Sequence, residues 1–267
     1  MPSQLYNFTK KTALSLMYKL PALPERIQGK LIWVHPRARF SLTARTFFKG
    51  EAHVQTWLTE QLKPGHVFFD VGAHHGRVSM WALLLVGKEG AVYSFEPSPA
   101  NLAILEWHKS VNNFSHWIVV PRAIADEDAV ARQFFLIDSG DSPMNSLTSG
   151  VPGMPLMEGR NIGEISIQTL SLDTFHRDVG VRPNVVKIDV EGAELLVLRG
   201  ARKLLSEAHP TLILAVHPYW LPNQHSPAQI ADLLKAHGYK IFNSKGNRVE
   251  SLRSGEYLCL NARAELH

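Results

Sequence analysis

The sequence predicts an α/β fold built around a mostly parallel β-sheet of seven strands with helices on both faces. Short apolar runs of strand length alternate with longer segments in which apolar residues recur at helical spacing, which is typical of βαβ units. The last two runs are joined by a polar stretch with no helix, so they are predicted to form an antiparallel pair. The predicted strands are 67–71, 91–95, 117–120, 185–189, 212–216, 239–242 and 257–260.

Helices are predicted before the first strand and between most of the others, because apolar residues there repeat at intervals of three and four. Residues 1–50 contain several prolines and are interpreted as an N-terminal extension, which leaves 51–267 as the α/β domain. The predicted helices are 51–62, 77–86, 98–111, 192–205 and 227–237.

Residues 138–163 interrupt the alternation. They are rich in Gly, Ser, Pro and Met and lie between two strand-like runs, R-Q-F-F-L-I (132–137) and E-I-S-I-Q-T-L (164–170). A loop this long inside a compact domain is usually functional or disordered. Its predicted position near the carboxyl edge of the sheet favours a lid over a bound substrate, although a passive insertion is the alternative.

Composition narrows the class of protein. The chain has 267 residues and a net charge of +4, and its basic residues are mostly scattered, which does not favour a nucleic-acid partner. Cys259 is the single cysteine, so an internal disulfide and a cysteine-rich zinc site are excluded. No apolar run has the roughly 18 residues of a membrane span. We expect a cytoplasmic protein whose N-terminus at most touches a membrane surface; the sequence does not indicate an oligomeric state.

The stretch V-F-F-D-V-G-A-H-H-G (67–76) is a predicted strand that runs into a glycine-punctuated turn and then a helix. Gly72 and Gly76 lack a Cβ, so we expect a ligand to approach the backbone there. The spacing differs from the G-x-G-x-x-G of dinucleotide sites. Asp70 should repel phosphate and attract the ammonium group of an amino acid, which favours S-adenosylmethionine over NAD.

Glu96 ends the next predicted strand, in S-F-E-P. A carboxylate at this point can accept hydrogen bonds from both hydroxyls of a ribose, as acidic residues do in NAD sites. Alternatively, the negative charge of Glu96 only stabilises the N-terminus of the following helix, which is predicted to start near Pro97. Glu96 therefore indicates a nucleoside site without separating the two cofactors.

A third acidic motif is V-V-K-I-D-V-E-G-A-E (185–194). In it Asp189 and Glu191 lie at the carboxyl end of an apolar predicted strand. Asp189 should face the same crevice as Asp70, and Glu191 shares that face if the strand continues, because residues two apart in a strand share a face. Helix capping is the alternative for Glu191 or Glu194, but it explains Asp189 poorly.

His217, in A-V-H-P-Y-W (215–220), ends the strand expected to lie beside Asp189. Its imidazole could remove a hydroxyl proton during methyl transfer, although it could also only bond the neighbouring turn. Tyr219 and Trp220 could stack on a sugar or aromatic acceptor. No metal is expected; an Asp189–Glu191–His217 metal site is a minor alternative.

The motifs D-V-G-A-x-x-G, F-E-P-S-P, L-S-L-D-T-F and V-K-I-D-V-E-G-A-E, in this order, resemble the FkbM-type family of S-adenosylmethionine-dependent methyltransferases. The resemblance spans roughly residues 51–261. It implies the class I methyltransferase fold, which is Rossmann-like, and methylation of a hydroxyl on a sugar or other small molecule. By position it implies that the cofactor is bound at Asp70, Gly72, Ala73, His74, Gly76, Glu96, Pro97, Ala123, Asp126 and Asp189.

Two positions depart from the family pattern. His74 and His75 stand where relatives often have Asn, and Ala215 stands where many have a glutamate. Asp189, Glu191 and His217 are therefore the predicted catalytic residues, orienting or deprotonating the acceptor. A nicotinamide-dependent oxidoreductase and a non-catalytic cofactor-binding protein of the same fold are the alternatives.

Overall fold

The computed structural model describes residues 22–40, 52–138, 140, 142–148 and 160–263. Most of the predicted N-terminal extension lies outside the described residues. The strands are β1 (Leu23–Ile27), β2 (Lys30–Val34), β3 (Val67–Val71), β4 (Ala91–Phe95), β5 (Trp117–Val120), β6 (Ala123–Ile124), β7 (Ala131–Ile137), β8 (Ile162–Leu170), β9 (Val185–Ile188), β10 (Thr211–Val216), β11 (Tyr239–Asn243), β12 (Arg248–Val249) and β13 (Gly255–Asn261). The helices are α1 (Pro36–Phe40), α2 (Ala52–Gln61), α3 (Arg77–Val86), α4 (Pro99–Val111), α5 (Leu172–Val179), α6 (Glu194–Arg199), α7 (Arg202–Glu207) and α8 (Pro227–Ala236).

The main sheet has the strand order β12-β11-β13-β10-β9-β3-β4-β5. Strands β10, β9, β3, β4 and β5 are parallel, and β13 runs antiparallel between β10 and β11. All seven predicted strands and the antiparallel last pair are confirmed. The predicted count of seven was wrong by one within the described chain. A turn at Asn243–Gly246 brings the two-residue strand β12 back onto the edge of β11, too short a pairing for periodicity to indicate.

The order in which the chain adds strands to the sheet reverses between β3 and β9, and a crevice opens at this point. From β3 the chain adds β4 and then β5 on one side, whereas β9 and β10 are added on the other side. Helices that follow neighbouring strands at such a switch point diverge, which leaves a gap at the carboxyl ends. The residues after β3, β4 and β9 therefore meet at one edge of the sheet.

Helices cover both faces of the sheet, as predicted. Neighbouring residues of a strand point to opposite faces, and Phe68 and Phe69 on β3 accordingly belong to two separate buried clusters. Phe68 packs with apolar residues of α2, α3 and α4. Phe69 packs with those of α5, α6, α7 and α8. These two layers make the fold a three-layer α/β sandwich of the class I methyltransferase type. Within the described residues, no helix has the length and apolar character needed to span a bilayer.

Two helical segments differ from the prediction. Helix α5 was not predicted; it begins after Ser171, whose hydroxyl accepts from the Thr174 amide. The helix predicted over 192–205 is instead two short helices separated at Gly200. A Cβ at Gly200 would lie 2.0 Å from the carbonyl oxygen of Ala125, so the chain passes too close to another loop for a side chain there. The spacing of apolar residues along the sequence does not reveal a close approach between distant segments, so this break in the helix could not be predicted from it.

A small second sheet has the order β6-β8-β7, in which β8 pairs antiparallel with the whole of β7 and the last two residues of β8 pair parallel with β6. These are the two strand-like runs predicted around residues 138–163, so that prediction is confirmed. The pairing brings the described part of the intervening segment to the carboxyl edge of the main sheet, next to β4 and β9.

Candidate active site

A cavity lies at the carboxyl ends of β3, β4 and β9. A second cavity adjoins it and shares Gly72, His74 and Asp189 with it. Most of the predicted cofactor-binding residues line one of the two. The first is lined by Gly72, His74, Glu96, Pro97, Ala123 and Asp189, and the second adds Ala73 and the predicted catalytic residue Glu191.

Glu96 lines the first cavity and forms hydrogen bonds with the turn after β3 and with the start of α4. One carboxylate oxygen accepts from the backbone N–H of His74 at 2.8 Å. The other accepts from the backbone N–H of Ser98 at 2.9 Å and from the Asn101 amide at 3.2 Å. Burial raises the pKa of Glu96 to about 7, although these hydrogen bonds act in the opposite direction. The predicted ribose-binding carboxylate thus also holds the turn after β3 against the start of α4.

Asp70 does not face the crevice, contrary to the expectation that its carboxylate points into the turn. Its side chain is fully buried and accepts the hydroxyl of Ser79 at 2.5 Å. The second oxygen lies 3.5 Å from the Lys187 ammonium. Ser79 also shares a hydrogen bond with Ser94. These partners come from α3, β4 and β9. Asp70 therefore connects the end of β3 to its neighbouring elements inside the protein, and it lines neither cavity.

The glycines of the turn are required by the protein itself rather than by an approaching ligand. A Cβ on Gly72 would lie 1.9 Å from the Asp189 carbonyl oxygen, and one on Gly76 would meet Leu105 and Trp117 within 2.8 Å. Both residues have positive φ, at 81° and 75°. Gly76 lines neither cavity, so the expectation of open backbone was wrong there. Gly72 lines both cavities, and the approach of a ligand to its backbone stays a prediction.

Asp126 was predicted near the adenine but lies outside both cavities, where it accepts from Arg132 at 2.8 Å. Other wall residues belong to no motif. Sequence reasoning could locate them only as part of the predicted lid or as helix and strand positions, and did not single them out. They are Asn101, Arg122, Ile124, Phe134, Ser142, Pro143, Asn145 and Leu147.

The described part of the predicted lid, residues 142–148, is attached to the site by two hydroxyls. Ser146 donates to the Glu191 carbonyl at 2.6 Å. Thr148 donates to the carbonyls of Glu191 at 3.1 Å and Trp220 at 2.9 Å. Most of the remaining segment, 149–159, lies outside the described residues. That this segment opens and closes over a ligand stays a prediction.

Asp189, Glu191 and His217 converge beside the cavities, as their positions at the ends of β9 and β10 predicted. His217 Nε2 lies 3.7 Å from Asp189 Oδ1 and 3.7 Å from Glu191 Oε2. Its Nδ1 is 2.7 Å from Glu194 Oε1, a fully buried carboxylate that sequence reasoning did not select. Lys187 contacts the other oxygen of Asp189 at 3.2 Å. Tyr219 is exposed beside this cluster, whereas Trp220 is buried.

The carboxylates change the protonation of this cluster. Burial alone lowers the pKa of His217, but the hydrogen bond to Glu194 and the negative charges of Asp189 and Glu191 outweigh it and raise the pKa to about 10. Burial, reinforced by Asp189 and Glu194, raises the pKa of Glu191 to about 7. In this arrangement His217 is cationic at neutral pH and has no lone pair for a proton, which argues against the general-base role expected for it.

The raised pKa of His217 predicts a pH-dependent stability. Its stabilising contribution should be complete below pH 6.5, the ordinary imidazole value, and decline by roughly 1 kcal/mol per pH unit as the pH rises toward 10. Denaturant titrations of metal-free protein between pH 6.5 and 10 would measure this slope. His217→Asn should be less stable at pH 6.5 and should lose the slope, while His116→Asn, away from the cluster, should keep it. Equal slopes in wild type and His217→Asn would contradict the assignment.

Residues 70–241 match the family model of the methyltransferase FkbM domain. Methyltransferase 1 of Beauveria bassiana is 27% identical over 180 residues, which cover 62% of this chain and 70% of that protein. The hexuronic acid methyltransferase AglP of Haloferax volcanii is 27% identical over 170 residues. They cover 63% of this chain and 63% of AglP, less than two thirds of that relative's length.

Solved structures with similar folds include a methyltransferase FkbM from Methylobacillus flagellatus. It is 18% identical, with a TM-score of 0.46 over 77% of this chain and 50% of that chain. Fibrillarin from Aeropyrum pernix, solved with S-adenosyl-L-methionine bound, is 13% identical, with a TM-score of 0.46 over 90% of this chain and 82% of that chain.

Proposed function

Since the chain belongs to the FkbM methyltransferase family, we propose that it transfers a methyl group from S-adenosylmethionine to a hydroxyl of a sugar or other small molecule. The observation that carries the proposal is that Glu96 and Asp189, which follow two different strands, line one cavity. Glu96 supplies a carboxylate at the end of β4 for ribose hydroxyls. Asp189 connects the same cavity to the cluster of acidic and basic groups around His217.

The walls of the first cavity suit a nucleoside. Ile124, Phe134 and Leu147 offer apolar surface for a purine ring, while Glu96 and Asn101 offer polar atoms close to it. S-Adenosylmethionine supplies a methyl group on a positively charged sulfur, which an acceptor can attack directly. The second cavity, with His74, Lys187 and Glu191, continues past Gly72 and has the polar character that the methionine end and the acceptor require.

The cluster at the end of β9 fits an acceptor hydroxyl. As the acceptor oxygen bonds to the methyl carbon, the carbon–sulfur bond breaks, the sulfur keeps the electron pair and the hydroxyl proton leaves. Asp189 and Glu191 are the groups that direct or accept this proton, because His217 already carries one. Alignment of the oxygen with the methyl group supplies most of the catalysis in such a displacement. That AglP is a hexuronic acid methyltransferase supports a sugar as the acceptor.

The cofactor assignment predicts the effect of Glu96→Ala. Loss of a charged acceptor for two hydroxyls should raise the dissociation constant of S-adenosylmethionine by about 100-fold or more, since hydrogen bonds to charged groups contribute roughly 1.5–3 kcal/mol each. Isothermal titration calorimetry should measure this, with NADH as the competing cofactor and Glu250→Gln, an exposed carboxylate on the far edge of the sheet, as the control. Tight NADH binding, or unchanged affinity in Glu96→Ala, would refute the assignment.

The enzymatic part of the proposal needs its own experiment. Incubation of the protein and S-adenosylmethionine with a metabolite extract should produce species heavier by one CH₂ unit, detected by mass spectrometry. Comparison with pure hydroxylated acceptors such as uronic acids would then test the hydroxyl. A protein that binds S-adenosylmethionine but methylates no acceptor would fit the alternative, a non-catalytic cofactor-binding protein.

A further inference from the structure

The space between Asp189, Glu191 and His217 has the dimensions of an ion site. One ligand atom from each side chain lies within 4.8 Å of the other two. The two 3.7 Å separations from His217 Nε2 are too long for hydrogen bonds. Atoms that bind one metal ion at about 2.0–2.2 Å lie roughly 3–4 Å apart. The two separations from His217 Nε2 are therefore those of ligands of a common ion, and the ligand oxygens of Asp189 and Glu191 lie within 4.8 Å of each other.

Glu194 provides an independent indication. Its carboxylate is fully buried, and Oε1 accepts from His217 Nδ1 at 2.7 Å and from the Gly192 amide at 3.1 Å. Its Oε2 is buried without a hydrogen-bond partner in the described part of the chain. A histidine that binds a metal usually donates its other ring N–H to such a carboxylate, which fixes the ring and the tautomer. Here that contact directs Nε2 at Asp189 and Glu191.

The balance of charge points the same way. Among the described side chains, the ion-pair network contains four carboxylates, those of Asp70, Asp189, Glu191 and Glu194. Their basic partners in this network are Lys187 and His217. The His74 ring also acts on Asp189. Buried charge of one sign is costly unless it is compensated. A divalent cation would offset the excess and replace the proton on Nε2.

We propose that Asp189, Glu191 and His217 bind a divalent first-row transition-metal cation, with Glu194 orienting the histidine. Two carboxylate oxygens and one imidazole nitrogen form a mixed donor set that suits Mn²⁺ or Zn²⁺ better than purely oxygen-preferring ions. Three protein ligands leave coordination positions open, as in catalytic metal sites. The role of the cation rests on the proposed function: it would hold the acceptor hydroxyl and favour release of its proton to solvent, so that the carboxylates hold the cation instead of accepting the proton.

Mn²⁺ binding to the full chain, without cofactor or acceptor, tests this site directly. The electron paramagnetic resonance signal of free Mn²⁺ should fall on titration with wild-type protein and indicate one site per chain. Asp189→Asn, Glu191→Gln and His217→Asn should each weaken binding at least 10-fold. Glu194→Gln should weaken it by about 10- to 100-fold through the orientation of His217. Glu250→Gln should bind as wild type does, and circular dichroism melting would establish that each variant is folded.

Two results would overturn the metal site: no stoichiometric Mn²⁺ binding by wild type, or folded Asp189→Asn and Glu191→Gln variants that bind Mn²⁺ as tightly as wild type. S-Adenosylmethionine titrations of the same preparations keep this outcome separate from the proposed function. A chain that binds the cofactor but not Mn²⁺ contradicts only the metal site. A chain that binds Mn²⁺ at these residues but not the cofactor contradicts only the proposed function.

Discussion

Glu191→Gln is expected to lower the rate of methyl transfer by about 10²–10⁴-fold, the range typical of a lost acid–base group. Glutamine keeps the size of the side chain and its hydrogen-bonding capacity, but it brings no negative charge to the cluster, whether that charge accepts the hydroxyl proton or holds a cation. Affinity for S-adenosylmethionine should fall much less than the rate, because Glu191 lines the second cavity, proposed for the methionine end and the acceptor, and not the cavity that contains Glu96. Single-turnover kinetics and calorimetry on one preparation would measure both quantities.

The same residue predicts the pH dependence. The pKa of Glu191 is raised to about 7, so its carboxylate is progressively protonated below neutrality. The wild-type rate should therefore fall as the pH drops through about 7, and the residual rate of Glu191→Gln should lack this limb. Glu250→Gln serves as the control with wild-type kinetics. A Glu191→Gln variant that turns over at the wild-type rate would remove Glu191 from the chemistry.

Gly72→Ala should have the largest effect on stability, with a loss of about 3 kcal/mol or more in the free energy of unfolding. Its φ of 81° disfavours a side chain, and the new Cβ would overlap the Asp189 carbonyl oxygen at 1.9 Å. Relief requires β3 and β9 to separate where the crevice begins. Denaturant titration monitored by tryptophan fluorescence would measure the loss.

Gly65→Ala is a matched control for this variant. Gly65 has nearly the same φ, 84°, but a Cβ there would have no atom within 4 Å. It should therefore show only the backbone cost, roughly 1–2 kcal/mol. Equal losses at the two positions would mean that the contact with Asp189 is relieved without cost, and the close approach of the turn to β9 would then have no energetic consequence.

The sequence was sufficient to predict which strands form the sheet and which residues meet at its edge. Parallel strands align their carboxyl ends, so Glu96, Asp189 and His217 converge whatever the details of packing. The direction of a single side chain was not predictable in this way. Asp70 turns inward because Ser79 and Lys187, from other elements, lie beneath it. No local pattern reports such long-range partners.

The protonation of the cluster shows a similar limit. The sequence predicted that the imidazole of His217 lies beside the carboxylates of Asp189 and Glu191. That arrangement is compatible with a neutral histidine that acts as a base and with a protonated, cationic one. Glu194 determines which of the two states is favoured, but in the sequence it resembles any acidic residue at the start of a helix. Only the fold shows that its buried carboxylate contacts His217 Nδ1 and thereby stabilises the protonated ring.

The hydroxyls of Ser146 and Thr148 have a consequence for engineering. They hold the carbonyl of Glu191, a residue with a left-handed φ of 50°, from a segment that lies over the crevice. The loop that contains these two hydroxyls thus also fixes the backbone of Glu191, whose carboxylate is proposed to direct or accept the acceptor proton. Chimeras that import this loop from a relative should retain a hydroxyl at both positions, so that selectivity can be changed without disturbing the geometry of Glu191.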